Sequence, residues 1–358
     1  MYKYEHGGDI YTRSDRQVVD FSANINPLGI PVGVKQALKN AIRDCVNYPD
    51  PFCRELGEAT AKFLGVSRTH LYFGNGAADV LFRMALAERP QRALILAPTF
   101  ADYEKALRSV ACRVEYYKLK ESRDFQVEED ILEQITPQLD MVIICNPNNP
   151  TGQITEPGLM EKIVQHCQRV GVRLVVDECF MDFVGLEKRY SLRKLLCGHH
   201  QLVILKAFTK TFAIPGVRLG LCMTADCKLL ERLHEVGQDW NVSVLAQQAG
   251  IAAVQEMDYL HKSMEYISQE RAYLKKALTA LGAKVYGSEA NYIFFSLKAP
   301  TNLPQLLEEK GILIRSCKNY QNLGEGYYRV AVKTKTMNRG LIREIRLAKR
   351  NAFFTDTY

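Results

Sequence analysis

The sequence has no CxxC pair, no signal-peptide pattern and no apolar run approaching the ~20 residues that a membrane span requires. Secretion and membrane insertion are therefore not expected, and the ten cysteines read as reduced thiols of a cytoplasmic protein. Cys222 and Cys227 are the closest cysteine pair, but no second pair completes a ligand set. His199 and His200 stand apart from them, so no metal site is expected. No low-complexity tract and no internal repeat interrupts the chain. The net charge of +7 is not gathered into a basic block interleaved with aromatics, which argues against nucleic acid as a partner. The cationic excess reads instead as local demand for groups that bind small anions.

The chain has 358 residues, 47% of them hydrophobic and 24% charged, enough for a large core and two domains. From about residue 54 short apolar runs alternate with helical segments. The runs are Arg92–Ala97, Met141–Cys145, Val172–Asp177, Leu202–Leu205 and Leu219–Met223, and Glu156–Arg169 is one of the helices between them. This alternation predicts an α/β protein with a mostly parallel central sheet covered by helices on both faces. Ser243–Leu281 reads as one long helix. Beyond it, runs near Tyr292–Leu297, Ile312–Arg315 and Tyr328–Val332 and a helix at Thr336–Lys349 suggest a smaller α+β unit. The expected division is an arm over residues 1–40 that packs with the small domain, a large domain over 41–245 and a small domain over 246–358.

The chemistry is organised around Thr209–Gly220, TKTFAIPGVRLG. Lys210 emerges from a strand end, and Arg218 returns beside it between Gly216 and Gly220. An amine can form a Schiff base with an aldehyde, and a guanidinium can grip a phosphate through a forked, charge-assisted pair. A phosphorylated aldehyde suits the two together. Gly74-Asn75-Gly76-Ala77-Ala78-Asp79 precedes an apolar helix whose first N–H groups can hold a phosphate, although as a lone motif it is also an ordinary turn. Asp177 ends a strand, where it can face a protonated ring nitrogen or merely cap a loop. Asn149, in the rigid turn Asn146–Gly152, can donate its amide to a phenolate oxygen, and Phe100 can stack on a flat ring.

In this order and at these strand ends, the segments resemble the fold-type I pyridoxal-phosphate enzymes, the aspartate-aminotransferase superfamily, across essentially the whole chain. The resemblance implies that Lys210 binds the cofactor covalently, that Asp177 pairs with its ring nitrogen and that Asn149 bonds its phenolic oxygen. Phe100 would stack on the ring. Gly76, the N–H groups of Ala77 and Ala78, Thr209 and Arg218 would hold the phosphate. Tyr48, in Asn47-Tyr48-Pro49-Asp50, matches a tyrosine that reaches the phosphate of a neighbouring subunit, which implies a homodimer with shared active sites.

Within the superfamily the sequence resembles the histidinol-phosphate aminotransferase group, and more closely the L-threonine-O-3-phosphate decarboxylases of cobalamin biosynthesis. The segments that carry this are His6-Gly7-Gly8, Asp20–Gly29, Ile312–Tyr320 and Tyr327–Val332. Phe180 stands where the aminotransferases usually place a tyrosine and the decarboxylases a phenylalanine. Ala77-Ala78 departs from the polar pair common in that loop. The implied reaction is loss of CO₂ from L-threonine 3-O-phosphate, or from L-serine phosphate; the alternative is a histidinol-phosphate-type aminotransferase. Arg315 and Arg329, with His6 and Asn24 nearby, would clamp the substrate's two anionic ends. Arg329 is assigned to the carboxylate and Arg315 with His6 to the phosphate, with the reverse assignment open. A non-enzymatic regulator on the same fold would carry a DNA-binding domain, for which the short arm before Asp20 leaves no room.

Overall fold

A computed structural model describes residues 6–11, 18–300 and 302–355. The strands in chain order are β1 (Val19–Asp20), β2 (Leu71–Gly74), β3 (Arg92–Ala97), β4 (Arg113–Lys118), β5 (Met141–Cys145), β6 (Arg173–Asp177), β7 (Leu202–Ala207) and β8 (Gly220–Met223), followed by β9 (Lys284–Tyr286), β10 (Tyr292–Ser296), β11 (Ile312–Leu313), β12 (Arg315–Ser316) and β13 (Tyr327–Ala331). Seven of them form one sheet in the order β2-β8-β7-β6-β5-β3-β4. All its pairings are parallel except the two made by β8, which runs against both β2 and β7.

This sheet forms because its central strands are apolar on both faces. Every residue of β5, β6 and β7 is buried. Leu94, Val142, Ile144, Leu174, Val176 and Ile204 point into one layer of the core, and Ile95, Ile143, Cys145, Val175, Val203 and Leu205 into the other. A two-residue alternation of this kind needs cover on both sides, and the intervening helices supply it.

A four-stranded antiparallel sheet has the order β12-β13-β10-β9, and β1 pairs in parallel with β11. The run Ile312–Arg315, expected as one strand, is two: Ile312 and Leu313 pair with Val19 and Asp20, whereas Arg315 and Ser316 pair with Arg329 and Tyr328. The change of partner lets one segment fasten the N-terminal arm and still present Arg315 beside Arg329. The expected long helix is also two, Val244–Ala253 and Met257–Ala280. Gln255 N–H and Glu256 N–H bond back three residues to Ala252 and Ala253, tightening the turn, and the Glu256 carboxylate accepts from Gly33 N–H at 2.9 Å. β2 and β4, which frame the main sheet, are additions to the strands expected from apolar runs; β4, RVEYYK, is too polar to announce itself.

All ten cysteines are unbridged. Among the described residues, no helix is long and apolar enough to cross a membrane, and no cluster of His, Cys, Asp or Glu could hold a metal ion.

Candidate active site

The parallel strands β3, β5, β6 and β7 end at the same edge of the sheet, the edge at which an α/β fold leaves a crevice. The chain after β3 carries Phe100 and that after β5 carries Asn149. Asp177 is the last residue of β6, and Lys210 lies in the short helix Phe208–Thr211 that follows β7. All four line one cavity of about 280 Å³. Ala77, Ala78, Thr209, Arg218, His6, Asn24, Arg315 and Arg329 line it too. Residues 323 positions apart in sequence, His6 and Arg329, therefore meet around one space.

Lys210 is the chemically prepared group. Among the described residues its ammonium has no hydrogen-bond or ion-pair partner. Burial, then the charges of Arg329 and Arg218, lower its pKa from the usual 10.5 to about 8, against a smaller opposing pull from Cys179 and Asp177. A buried cation without a partner prefers to lose its proton, and the amine it leaves is a nucleophile. Lys206, four residues earlier, is the opposite case. Burial opposes its charge, but Asp182 and other acids outweigh this and hold its pKa above normal. The Asp182 carboxylate also accepts from Thr211 Oγ1 at 2.8 Å, so this ion pair steadies the short helix that carries Lys210.

Across the cavity, Asp177 is buried without an ion-pair partner among the described residues. It accepts hydrogen bonds from Tyr103 Oη at 2.5 Å and from Cys179 N–H at 2.8 Å. A buried carboxylate held by neutral donors alone retains capacity for a cation. Asn149 accepts from Arg329 Nη1 through its side-chain oxygen, and its amide nitrogen is a donor without a partner among the described residues.

The helix Ala77–Glu88 starts at the cavity, and its first N–H groups have no intrahelical acceptors. Its N-cap, Gly76, has φ +89°, and a Cβ there would stand 2.4 Å from Arg218 Nη2. A Cβ on Gly220 would lie 2.2 Å from the Ala77 nitrogen. These two glycines let the arginine and β8 close on the helix start. The result is a pocket of backbone N–H groups, a positive dipole end and a guanidinium, which together suit a phosphate.

Arg315 and Arg329 are direct partners in the antiparallel β12–β13 pair. Among the described residues, the Nε atoms of both are buried without a hydrogen-bond partner, as is Asn24 Oδ1. Arg329 donates through Nη2 to the Ser22 carbonyl at 2.6 Å, and Arg315 donates through Nη2 to Asn319 Oδ1 at 2.9 Å. His6 Nε2 lies 3.1 Å from Asp102 Oδ1, and its ring centroid is 5.5 Å from that of Phe100. Two of the expected residues lie off the cavity wall. Gly76 sits directly behind it, and Tyr48 is 78% exposed, stacked on Trp240 at 4.5 Å. The sequence reading missed Tyr103, Tyr320, Ser22 and Cys179, which also line the cavity. Tyr103 left a signal: it follows Phe100 by three positions at the start of a helix, so the two share a face.

The model of the aminotransferase class I and II family matches residues 16–345. The threonine-phosphate decarboxylase of Salmonella typhimurium is 35% identical over 97% of both chains. A histidinol-phosphate aminotransferase of Moorella thermoacetica is 32% identical, over 92% of this chain and 85% of that one. Among solved structures, the histidinol-phosphate aminotransferase from Clostridium acetobutylicum superposes with a TM-score of 0.87 at 26% identity, covering 92% of this chain and 99% of that one.

Proposed function

The chain belongs to the aminotransferase class I and II family and is a pyridoxal-phosphate enzyme of the aspartate-aminotransferase fold, and from that premise we propose that it decarboxylates L-threonine 3-O-phosphate or its serine counterpart. The cavity fits the cofactor. It offers a desolvated lysine without a partner, a buried carboxylate awaiting a cation, an amide donor at Asn149, and a phosphate cradle that a Cβ on Gly76 would fill. Lys210 would hold the cofactor, Asp177 would face its ring nitrogen, Asn149 its phenolic oxygen and Phe100 its ring. Ala77, Ala78, Thr209 and Arg218 would hold its phosphate. When bound, the cofactor supplies an electron sink for the bond broken at the substrate's α-carbon.

The observation that carries the substrate class is the arginine pair. Like charges placed directly opposite one another across two strands repel. Arg315 and Arg329 are so placed and face one cavity, and their buried Nε donors are unused. Two anionic groups on one small substrate, a carboxylate and a phosphate, relieve that repulsion and use both forks. We assign Arg329 to the carboxylate, because it also touches Asn149 and the Ser22 carbonyl, and Arg315 with His6 to the phosphate. Held at both ends, the substrate cannot turn about its N–Cα bond, so the clamp decides which bond is presented for cleavage. After CO₂ leaves, the protonated Lys210 amine or a water would return a proton to the α-carbon.

Phe180 supports decarboxylation. Its ring packs edge-on against Tyr292 at 5.0 Å and offers no hydroxyl to the neighbourhood of Asn149. The likeness to histidinol-phosphate aminotransferases supports a second reading, transamination of an amino-alcohol phosphate. We further propose that the enzyme is a cytoplasmic homodimer. Val46, Tyr48, Phe52 and Trp240 are all exposed, and a second copy covering them would bring Tyr48 towards the partner's cavity.

Incubation with each phosphoamino acid, and with histidinol phosphate plus 2-oxoglutarate, separates the readings. Release of CO₂ with little keto acid is expected. Faster turnover of histidinol phosphate than of either phosphoamino acid would replace decarboxylation with transamination.

A further inference from the structure

Tyr103 is almost wholly buried in the helix Ala101–Arg108, and its hydroxyl donates to Asp177 Oδ2 at 2.5 Å. The other carboxylate oxygen accepts the Cys179 N–H at 2.8 Å. The carboxylate is therefore pinned at both oxygens by donors on two different elements, which fixes its plane as well as its position. Both donors are neutral, so neither cancels its charge. The phenol stays a donor throughout the working pH range, because burial and the adjacent Asp177 charge push its pKa well above normal. The Tyr103 ring packs edge-on against Phe100 at a centroid distance of 5.6 Å. Phe100 thereby shares its support with Asp177, and one side chain sets the spacing between a ring-stacking surface and a ring-facing carboxylate.

We infer that Tyr103 is a positioning residue whose hydrogen bond holds the Asp177 carboxylate in place and correctly aimed, and so sets how far the cofactor's ring nitrogen is protonated. This rests on the reading of Asp177 as the partner of that nitrogen, and holds for decarboxylation and transamination alike. A donor to the carboxylate stabilises its charged form, and an anionic carboxylate holds the proton on the ring nitrogen. Without the phenol, the shared proton shifts towards the carboxylate and the electron sink weakens. Tyr103→Phe keeps the ring and its packing against Phe100 and removes only the donor.

The test loads the protein with cofactor labelled with nitrogen-15 in the ring and records its resonance in four proteins: wild type, Tyr103→Phe, Asp177→Asn and the double variant. Tyr103→Phe should move the resonance towards unprotonated pyridine, in the direction of the larger move made by Asp177→Asn. It should also lower kcat by about tenfold to a hundredfold, the loss expected for a hydrogen bond to a charged group, while KM changes by less than about threefold. In the Asp177→Asn background the same substitution should leave the resonance unmoved and cost less than about threefold in kcat, since Tyr103 acts through the charge of Asp177. An equal loss in both backgrounds would mark a packing role and overturn the inference, as would a Tyr103→Phe resonance at the wild-type position while Asp177→Asn moves it. If Asp177→Asn itself leaves the resonance in place, the Asp177 reading fails and the inference fails with it.

Discussion

The lowered pKa of Lys210 can be measured before any substrate is identified. Covalent capture of an aldehyde requires the uncharged amine. With a pKa of about 8, roughly a quarter of the Lys210 side chains are uncharged at about pH 7.5, against about one in a thousand at 10.5, a gain of roughly two hundredfold. Cofactor-free protein mixed with pyridoxal phosphate should therefore develop visible absorbance at a rate that rises with pH and levels off just above pH 8. The sign also has a stability consequence. A lysine whose folded pKa lies below its unfolded value destabilises the fold, fully below about pH 8, and the penalty fades as pH rises towards 10.5. The gap corresponds to at most about 3 kcal/mol. Lys210→Met should therefore raise the Tm of cofactor-free protein at pH 7 and lose much of that advantage at pH 10. Borohydride should fix the cofactor to wild-type protein and not to Lys210→Met. A capture rate still climbing at pH 10, or a label retained on Lys206, would refute the reasoning. Lys206 is the sharper control, because it is also buried but keeps its proton through Asp182.

Replacing either clamp by lysine keeps the charge and loses the fork, and should lower kcat/KM for the phosphoamino acid about a hundredfold or more, as steady-state kinetics would show. Arg329→Lys should in addition raise the fraction of turnovers that end in keto acid. Gly76→Ala forces an L side chain to φ +89° and places a methyl against Arg218, so cofactor affinity measured by equilibrium dialysis should fall at least about tenfold, with Tm lowered as well. Mixing inactive Tyr48→Ala with inactive Lys210→Ala protein should restore part of the activity, because one site of a mixed dimer receives both intact groups. No recovery after verified subunit exchange would remove Tyr48 from the site.

The mostly parallel sheet was legible because β3, β5, β6 and β7 are continuous apolar runs, and a residue at the end of a parallel strand has one place to go. Those strand ends, together with the family resemblance, are why Asp177, Lys210, Asn149 and Phe100 could be expected at one site. Pairings that depend on few residues were not legible. Two residues suffice to switch Ile312–Ser316 from β1 to β13, and neither pairing leaves a periodic signal. Tyr103 was hidden for a different reason. A tyrosine on a helix is ordinary, and only the folded register shows that its hydroxyl ends on Asp177 rather than in water. The two helices within Ser243–Leu281 differ from the one expected because a tight turn, needing no proline or glycine, is fixed by Glu256 reaching Gly33 from another part of the chain.

The same charges that define the site also explain why it is built from distant segments. Lys210, Arg218, Arg315 and Arg329 face one cavity, while the acids on its wall are Asp177 and Asp102, the latter already beside His6. These four cations share one partly buried space, which is costly, and burial first, with the neighbouring arginine charges added, depresses the pKa of Lys210. On the proposed function, each anion that enters would remove part of that cost: a phosphate between Arg218 and the helix start, then the two anionic ends of the substrate at Arg315 and Arg329. The cations come from β12, β13, the short helix after β7 and the loop before β8, so their repulsion is borne by the tertiary structure rather than by any one helix or strand. A single segment carrying four such cations would splay apart before a ligand arrived. Segments anchored separately, by the seven-stranded sheet on one side and the β12–β13 pair on the other, hold them in place, and on the proposed function their charge would supply affinity for the cofactor and the substrate.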